Sequence, residues 1–103
     1  MKRNSITRVM PDGRVIYSDA MYKATLEYMT RRQDGKCAIC GRIMGFPTFD
    51  HAAGRGMGGS KRDDRPNFDD GSPRNAALCW NCNALKGSKP YHWVDGKYIP
   101  KTS

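Results

Sequence analysis

No stretch of this 103-residue chain approaches the ~20 consecutive apolar residues that a bilayer-spanning helix needs, so no membrane partner is expected. Hydrophobic residues make up only 38% of it and the mean hydropathy is −0.76, which leaves little material for a large core. Acidic side chains are also scarce: 10 Asp and Glu stand against 18 Lys and Arg, giving a formal charge of +8. A surplus of that size favours a polyanionic partner through counterion release, with nucleic acid the first candidate. The opening Met1-Lys2-Arg3-Asn4-Ser5-Ile6 lacks the apolar run of a secretory leader, so a cytoplasmic setting is expected.

Only four cysteines are present, and they fall in two pairs: Cys37-Ala38-Ile39-Cys40 and Cys79-Trp80-Asn81-Cys82. Each Cys-x-x-Cys pair bends back on itself and points both sulfurs at one ion, so the four thiolates can close a tetrahedral Zn²⁺ shell. Two disulfides are the rival arrangement, and the expected reducing compartment disfavours it. Such an ion contributes roughly 10–16 kcal/mol near neutral pH, more than a core this small supplies. The spacing between the pairs is unusual. Thirty-eight residues separate Cys40 from Cys79, whereas a simple ribbon leaves about 15–20.

The remaining pattern predicts a small α+β fold in a single domain, 1–103. Ile6–Met10 and Arg14–Tyr17 flank Pro11-Asp12-Gly13 and form a hairpin. Ser18 caps a helix over about Asp19–Gln33, with Asp19 at its positive end and Arg31 and Arg32 at its negative end. Its stripe of Met21, Tyr22, Leu26 and Met29 faces the core. Residues 1–34 thus hold a hairpin and a helix, 35–88 the metal-stapled core, and 89–103 a second hairpin signalled by Asp95-Gly96. Inside the core, Thr48–His51 and Asn75–Leu78 read as strands and Asn81–Lys86 as a short helix before Gly87. Between them, 52–74 is rich in glycine and charge without periodicity. A loop of that length in a compact domain usually binds something.

Asp50-His51, Gly58-Gly59, Asn75, Leu78-Cys79 and Cys82-Asn83 with Lys86, taken in that order, resemble the HNH endonucleases, whose ββα-metal fold grips one divalent cation. With the first knuckle, the resemblance covers Cys37 to about Gly87. It implies His51 as general base toward the water that attacks a DNA phosphodiester, a task suited to an unperturbed imidazole pKa of ~6.5. It implies Asp50 and Asn83 as ligands of the catalytic ion, and Asn75 as a brace for the loop that carries His51. An all-oxygen set suits Mg²⁺ or Mn²⁺. Such an ion stabilises the leaving oxygen, giving nicks with 5′-phosphate and 3′-hydroxyl ends. Arg55, closest in sequence to His51, and Lys86, one helical turn from Asn83, are the expected DNA contacts. One site cuts one strand, and double-strand cutting would need a dimer, a second binding event or a partner.

Asp50 and His51 would point to opposite faces of a regular strand, so the strand is expected to end or bulge there. His92 reads as a structural strand histidine and Trp80 as a side chain packed over the zinc. Tyr91, Trp93 and Tyr98, interleaved with Lys89 and Lys97, offer a stacking surface. Lys61, Arg62, Arg65 and Arg74 can equally solvate a loop, with Asp63, Asp64, Asp69 and Asp70 offsetting their charge locally. Two rivals remain: a non-catalytic zinc module that binds nucleic acid, and a zinc-stapled protein-interaction domain.

Overall fold

The computed structural model describes residues 6–54 and 59–101. Arg55, the expected DNA contact, and Gly58 of the motif lie outside the described residues.

Three two-stranded antiparallel sheets and two helices make up the described chain. β1 (Arg8–Val9) pairs with β2 (Val15–Ile16), and the turn between them closes through Gly13 N–H on Met10 O at 2.9 Å. Gly13 takes φ +92°, a left-handed value that a side chain would resist. α1 spans Asp19–Arg32, with the Ser18 hydroxyl accepting from Met21 N–H as its N-cap. Met29 is fully buried and Tyr22 and Leu26 pack on the core, as the stripe predicts. Met21, however, is 46% exposed, and Thr25 takes the inward place instead. Tyr22, Thr25, Leu26 and Met29 are the true i, i+3, i+4, i+7 set. Thr25 tolerates burial because its hydroxyl donates to Met21 O at 2.7 Å.

β3 (Pro47–Asp50) and β4 (Ala76–Cys79) pair in register, Asp50 opposite Ala76 and Pro47 opposite Cys79. Ala76, Ala77 and Leu78 are solvent-free, and both helices pack against this pair. α2 (Trp80–Lys86) follows β4 without a break, Cys79 serving as its N-cap, and Gly87 ends it at φ +59°. β5 (Tyr91–Val94) and β6 (Lys97–Pro100) form the last hairpin around Asp95 and Gly96, both at positive φ as a type I′ turn requires. Among the described residues no helix is long and apolar enough to cross a membrane.

The segment from Gly59 to Asn75 has no regular elements yet is tied down closely. Asp64 N–H donates to Val15 O at 2.8 Å, and the Arg14 guanidinium donates to Gly59 O and Arg62 O. The N-terminal hairpin therefore holds this loop in place. Asp63 and Asp64 are buried by that packing.

Candidate functional site

The four cysteine sulfurs lie within 4.8 Å of one another. A tetrahedron of sulfurs each 2.3 Å from zinc has edges of about 3.8 Å, and Cys40 Sγ stands 3.9 Å from Cys79 Sγ. The cluster can therefore hold a zinc ion. Backbone N–H groups already turn toward the sulfurs, Ile39 onto Cys37 and Cys82 onto Cys79, each at 3.4 Å. Burial pushes the Cys37 thiol up, but N–H donors around it outweigh that and bring its pKa down to about 7. The Cys82 thiol is raised, by burial and by the neighbouring sulfurs. Four sulfurs this close cannot all be thiolates without a cation among them.

Beyond the knuckles, the chain reversal after β3 creates a cleft of about 350 Å³ that brings together Asp50, His51 and Asn83. The strand ends at Asp50, so His51 leaves the pleat and both side chains can serve one cleft. His51 through Gly54 form a turn closed by Gly54 N–H on His51 O at 2.8 Å. Glycine is required at 54: φ is +76°, and a Cβ there would stand 2.7 Å from Ser88 O. Asn83 Nδ2 donates to Thr48 Oγ1 and Phe49 O, and a carbonyl can only accept. That fixes the amide and sets Oδ1 on the opposite side.

His51 is buried and its Nε2 lies 2.7 Å from Asp64 Oδ1. Asp64 also accepts from both Arg62 Nε and Nη2 at 2.9 Å and from Tyr17 N–H at 2.8 Å. Burial works to raise its pKa, but the hydrogen bonds from His51, Arg62 and Tyr17 prevail and hold it at about 2. The carboxylate is thus ionised, and the imidazole donates from Nε2 to it. The ring is further stacked on Phe49 at 4.7 Å, which stacks in turn on Tyr22 at 4.4 Å.

Asp50 sits in a different environment. Its Oδ1 pairs with Lys86 Nζ at 3.2 Å, and its Oδ2 accepts from the Tyr98 hydroxyl. Burial raises its pKa, against the pull of that hydroxyl and that ammonium. Lys86, expected on the open face of α2 to meet a phosphate, is instead only 3% exposed, lies 3.5 Å from His51 O and sits over the Tyr91 ring. The one-turn offset from Asn83 does put it on the same helical face, but at its end of that face Tyr91 of the C-terminal hairpin and the Asp50–Tyr98 pair enclose the ammonium. The oxygens of Asp50 and Asn83 match a hard cation in type. A carboxylate offers about four acceptor positions, of which Lys86 and Tyr98 take two, so any cation held at Asp50 would have the Lys86 ammonium as its neighbour or competitor.

Asn75 is fully enclosed. Its Oδ1 accepts from Ala52 N–H at 3.0 Å, and its Nδ2 donates to Asp63 O and Arg65 O at 2.8 Å. It ties the turn that follows His51 to the segment that presents Asp64. Sequence reasoning missed Asp64 and Tyr98. It treated Asp63 and Asp64 as charges that offset nearby arginines, and they do pair locally, Arg65 with Asp63 and Arg62 with Asp64, but inside the protein. The alternating signs of Arg62-Asp63-Asp64-Arg65 were the available signal. Trp80 was expected to pack over the cysteines and is 69% exposed instead, because α2 turns its first residue outward. Tyr98 faces inward onto Asp50 and offers no stacking surface, while His92 stands on β5 opposite Ile99, outside the cleft. Searches against protein-family models, curated proteins and solved structures find no match for this chain.

Proposed function

We propose that the protein is a metal-dependent endonuclease of the HNH type, with the β3–β4 pair and α2 as its ββα-metal core. The observation that carries this is the cleft itself, in which the adjacent Asp50 and His51 meet Asn83 from a distant part of the sequence. His51 acts as general base. His51 takes the proton of the attacking water, and the ionised Asp64 beside its Nε2 stabilises the imidazolium that forms. Asp50 and Asn83 would hold an Mg²⁺-class ion, which supplies charge stabilisation at the leaving oxygen. The Cys37, Cys40, Cys79, Cys82 zinc would fix β4 and α2, and thereby Asn83, relative to β3. DNA is the partner that a +8 chain with this cleft suits best. Zinc-loaded protein incubated with supercoiled plasmid and Mg²⁺ is expected to give open circles that ligase reseals. Ends that ligase cannot join would exclude the 5′-phosphate, 3′-hydroxyl chemistry.

One observation favours a second reading, a non-catalytic zinc module that binds nucleic acid. The Lys86–Asp50–Tyr98 group is a satisfied buried polar network and needs no ion to explain it. That reading expects salt-sensitive DNA binding with no Mg²⁺-dependent nicking at any enzyme concentration.

A further inference from the structure

A second and larger hollow, of about 590 Å³, begins where the candidate cleft ends. Ser88 lines both, and Ala52 and Ala53, the residues directly after His51, form part of its wall. Three cations line it, Lys61, Arg74 and Lys101, together with Phe68 and His92. Among the described residues that line it there is no carboxylate, whereas the candidate cleft holds Asp50.

The charges and rings are arranged for contact. Lys61 and Lys101 are exposed, and Phe68 is 51% exposed. The Arg74 guanidinium lies over the Phe68 ring at 5.4 Å and reaches Asp63 at 3.3 Å. Asp63 is buried and shared with Arg65, which also reaches Asp69 at 3.7 Å, so the surplus positive charge of the hollow lies on Lys61 and Lys101. His92, on the strand face opposite to Tyr91 and Trp93, is half-buried. Tyr91 and Trp93 pack on Tyr98, which fixes the strand that carries His92.

A duplex would use only part of this surface. Paired bases bury their faces in their own stack and present phosphates and edges outward, so an exposed aromatic ring has nothing to lie against. An unpaired strand offers both a phosphate for each cation and a base face for each ring. We propose that this hollow holds an unpaired DNA strand leaving the candidate cleft, with Phe68 and His92 as stacking platforms and Lys61, Arg74 and Lys101 on its phosphates. The preferred substrate is then DNA in which duplex meets single strand. The inference rests on the endonuclease reading for the position of the cut, but not for the affinity of the groove.

Binding therefore tests it without cleavage. Zinc-loaded protein without added Mg²⁺ is titrated into a fluorescently labelled 15-nucleotide oligothymidine and, separately, a blunt duplex of equal length, followed by anisotropy. The single strand is expected to bind more tightly. Phe68→Ala with His92→Ala should weaken it about 10-fold or more, from the loss of stacking on one or two bases, and leave duplex binding within about 2-fold. Phe68→Leu keeps the bulk and loses the stack, and should show most of the Phe68→Ala effect. Lys61→Gln and Lys101→Gln should each lower the salt slope for the single strand by about 0.7. Single-strand affinity unmoved by these changes, or equal losses on both ligands, would overturn the groove. If plasmid nicking fails while the ring variants still lose single-strand affinity, the endonuclease reading falls and the groove stands.

Discussion

At the scale of single residues, the site depends on which groups share a proton or a charge. Asp64 is the clearest case, since four donors from three residues converge on it, His51 among them. Its folded pKa of about 2 lies below the ordinary 3.8. The associated stability is therefore fully present above about pH 4 and is lost as the pH falls toward 2. It amounts to about 2 kcal/mol at neutral pH. Asp64→Asn should lower stability by about that much in urea unfolding at pH 7. The gap between native and variant should narrow as the pH falls below 4, a comparison in which zinc loss to acid affects both proteins alike. A constant gap down to pH 2.5 would mean that the charge of Asp64 contributes nothing. On activity, the same variant should depress the turnover of nicking more than its Michaelis constant, because it misorients His51 and leaves the DNA surface alone.

The elements are held together by side chains acting as backbone. Gln33, the residue after α1, donates from Nε2 to Ala77 O at 2.8 Å and accepts from Ala77 N–H at 2.9 Å. This closes the outer edge of β4 in the manner of a neighbouring strand. Gln33→Ala should cost about 1–3 kcal/mol, since it leaves the buried Ala77 N–H without its acceptor, and the amide proton of Ala77 should exchange faster with solvent. Unchanged exchange would show that water satisfies the group. Element identity was largely legible in the sequence: Ser18 as a cap, Gly13 and Asp95-Gly96 as turn residues, and the two knuckles all act through local chemistry. The end of β3 at Asp50 followed from the need to aim two adjacent side chains at one place. Long-range partners were not legible. That Arg14 and Val15 clamp the Gly59–Asp64 segment, that Tyr98 reaches Asp50, and that the last hairpin covers Lys86 depend on how separate elements pack, and no local spacing encodes it. The burial of Asp63 and Asp64 escaped notice for the same reason, because acids flanked by arginines look alike at the surface and in the interior.

For the whole molecule, the question is what makes so small a core fold. The buried apolar set is short and contains three small alanines, Ala52, Ala76 and Ala77, so the close packing they permit brings little buried area. The four-sulfur cluster joins the segment before β3 to the start of α2, and a zinc ion held there would supply the missing stabilisation. Stripping zinc with a strong chelator should abolish the cooperative thermal transition and most of the helical circular dichroism, and adding Zn²⁺ back should restore both. A chelated protein that still melts cooperatively would show that the core suffices alone.

In the proposed endonuclease, His51 is the residue through which fold, zinc and cleft would be connected to chemistry. The most direct measurement is the initial rate of plasmid nicking in Mg²⁺ by native protein and by His51→Ala, matched for zinc content and melting temperature. A general base at this position is expected to account for about 10²–10⁴-fold of the rate, so the variant should fall by at least two orders of magnitude. Equal rates from the two proteins would contradict the assignment of catalysis to this cleft.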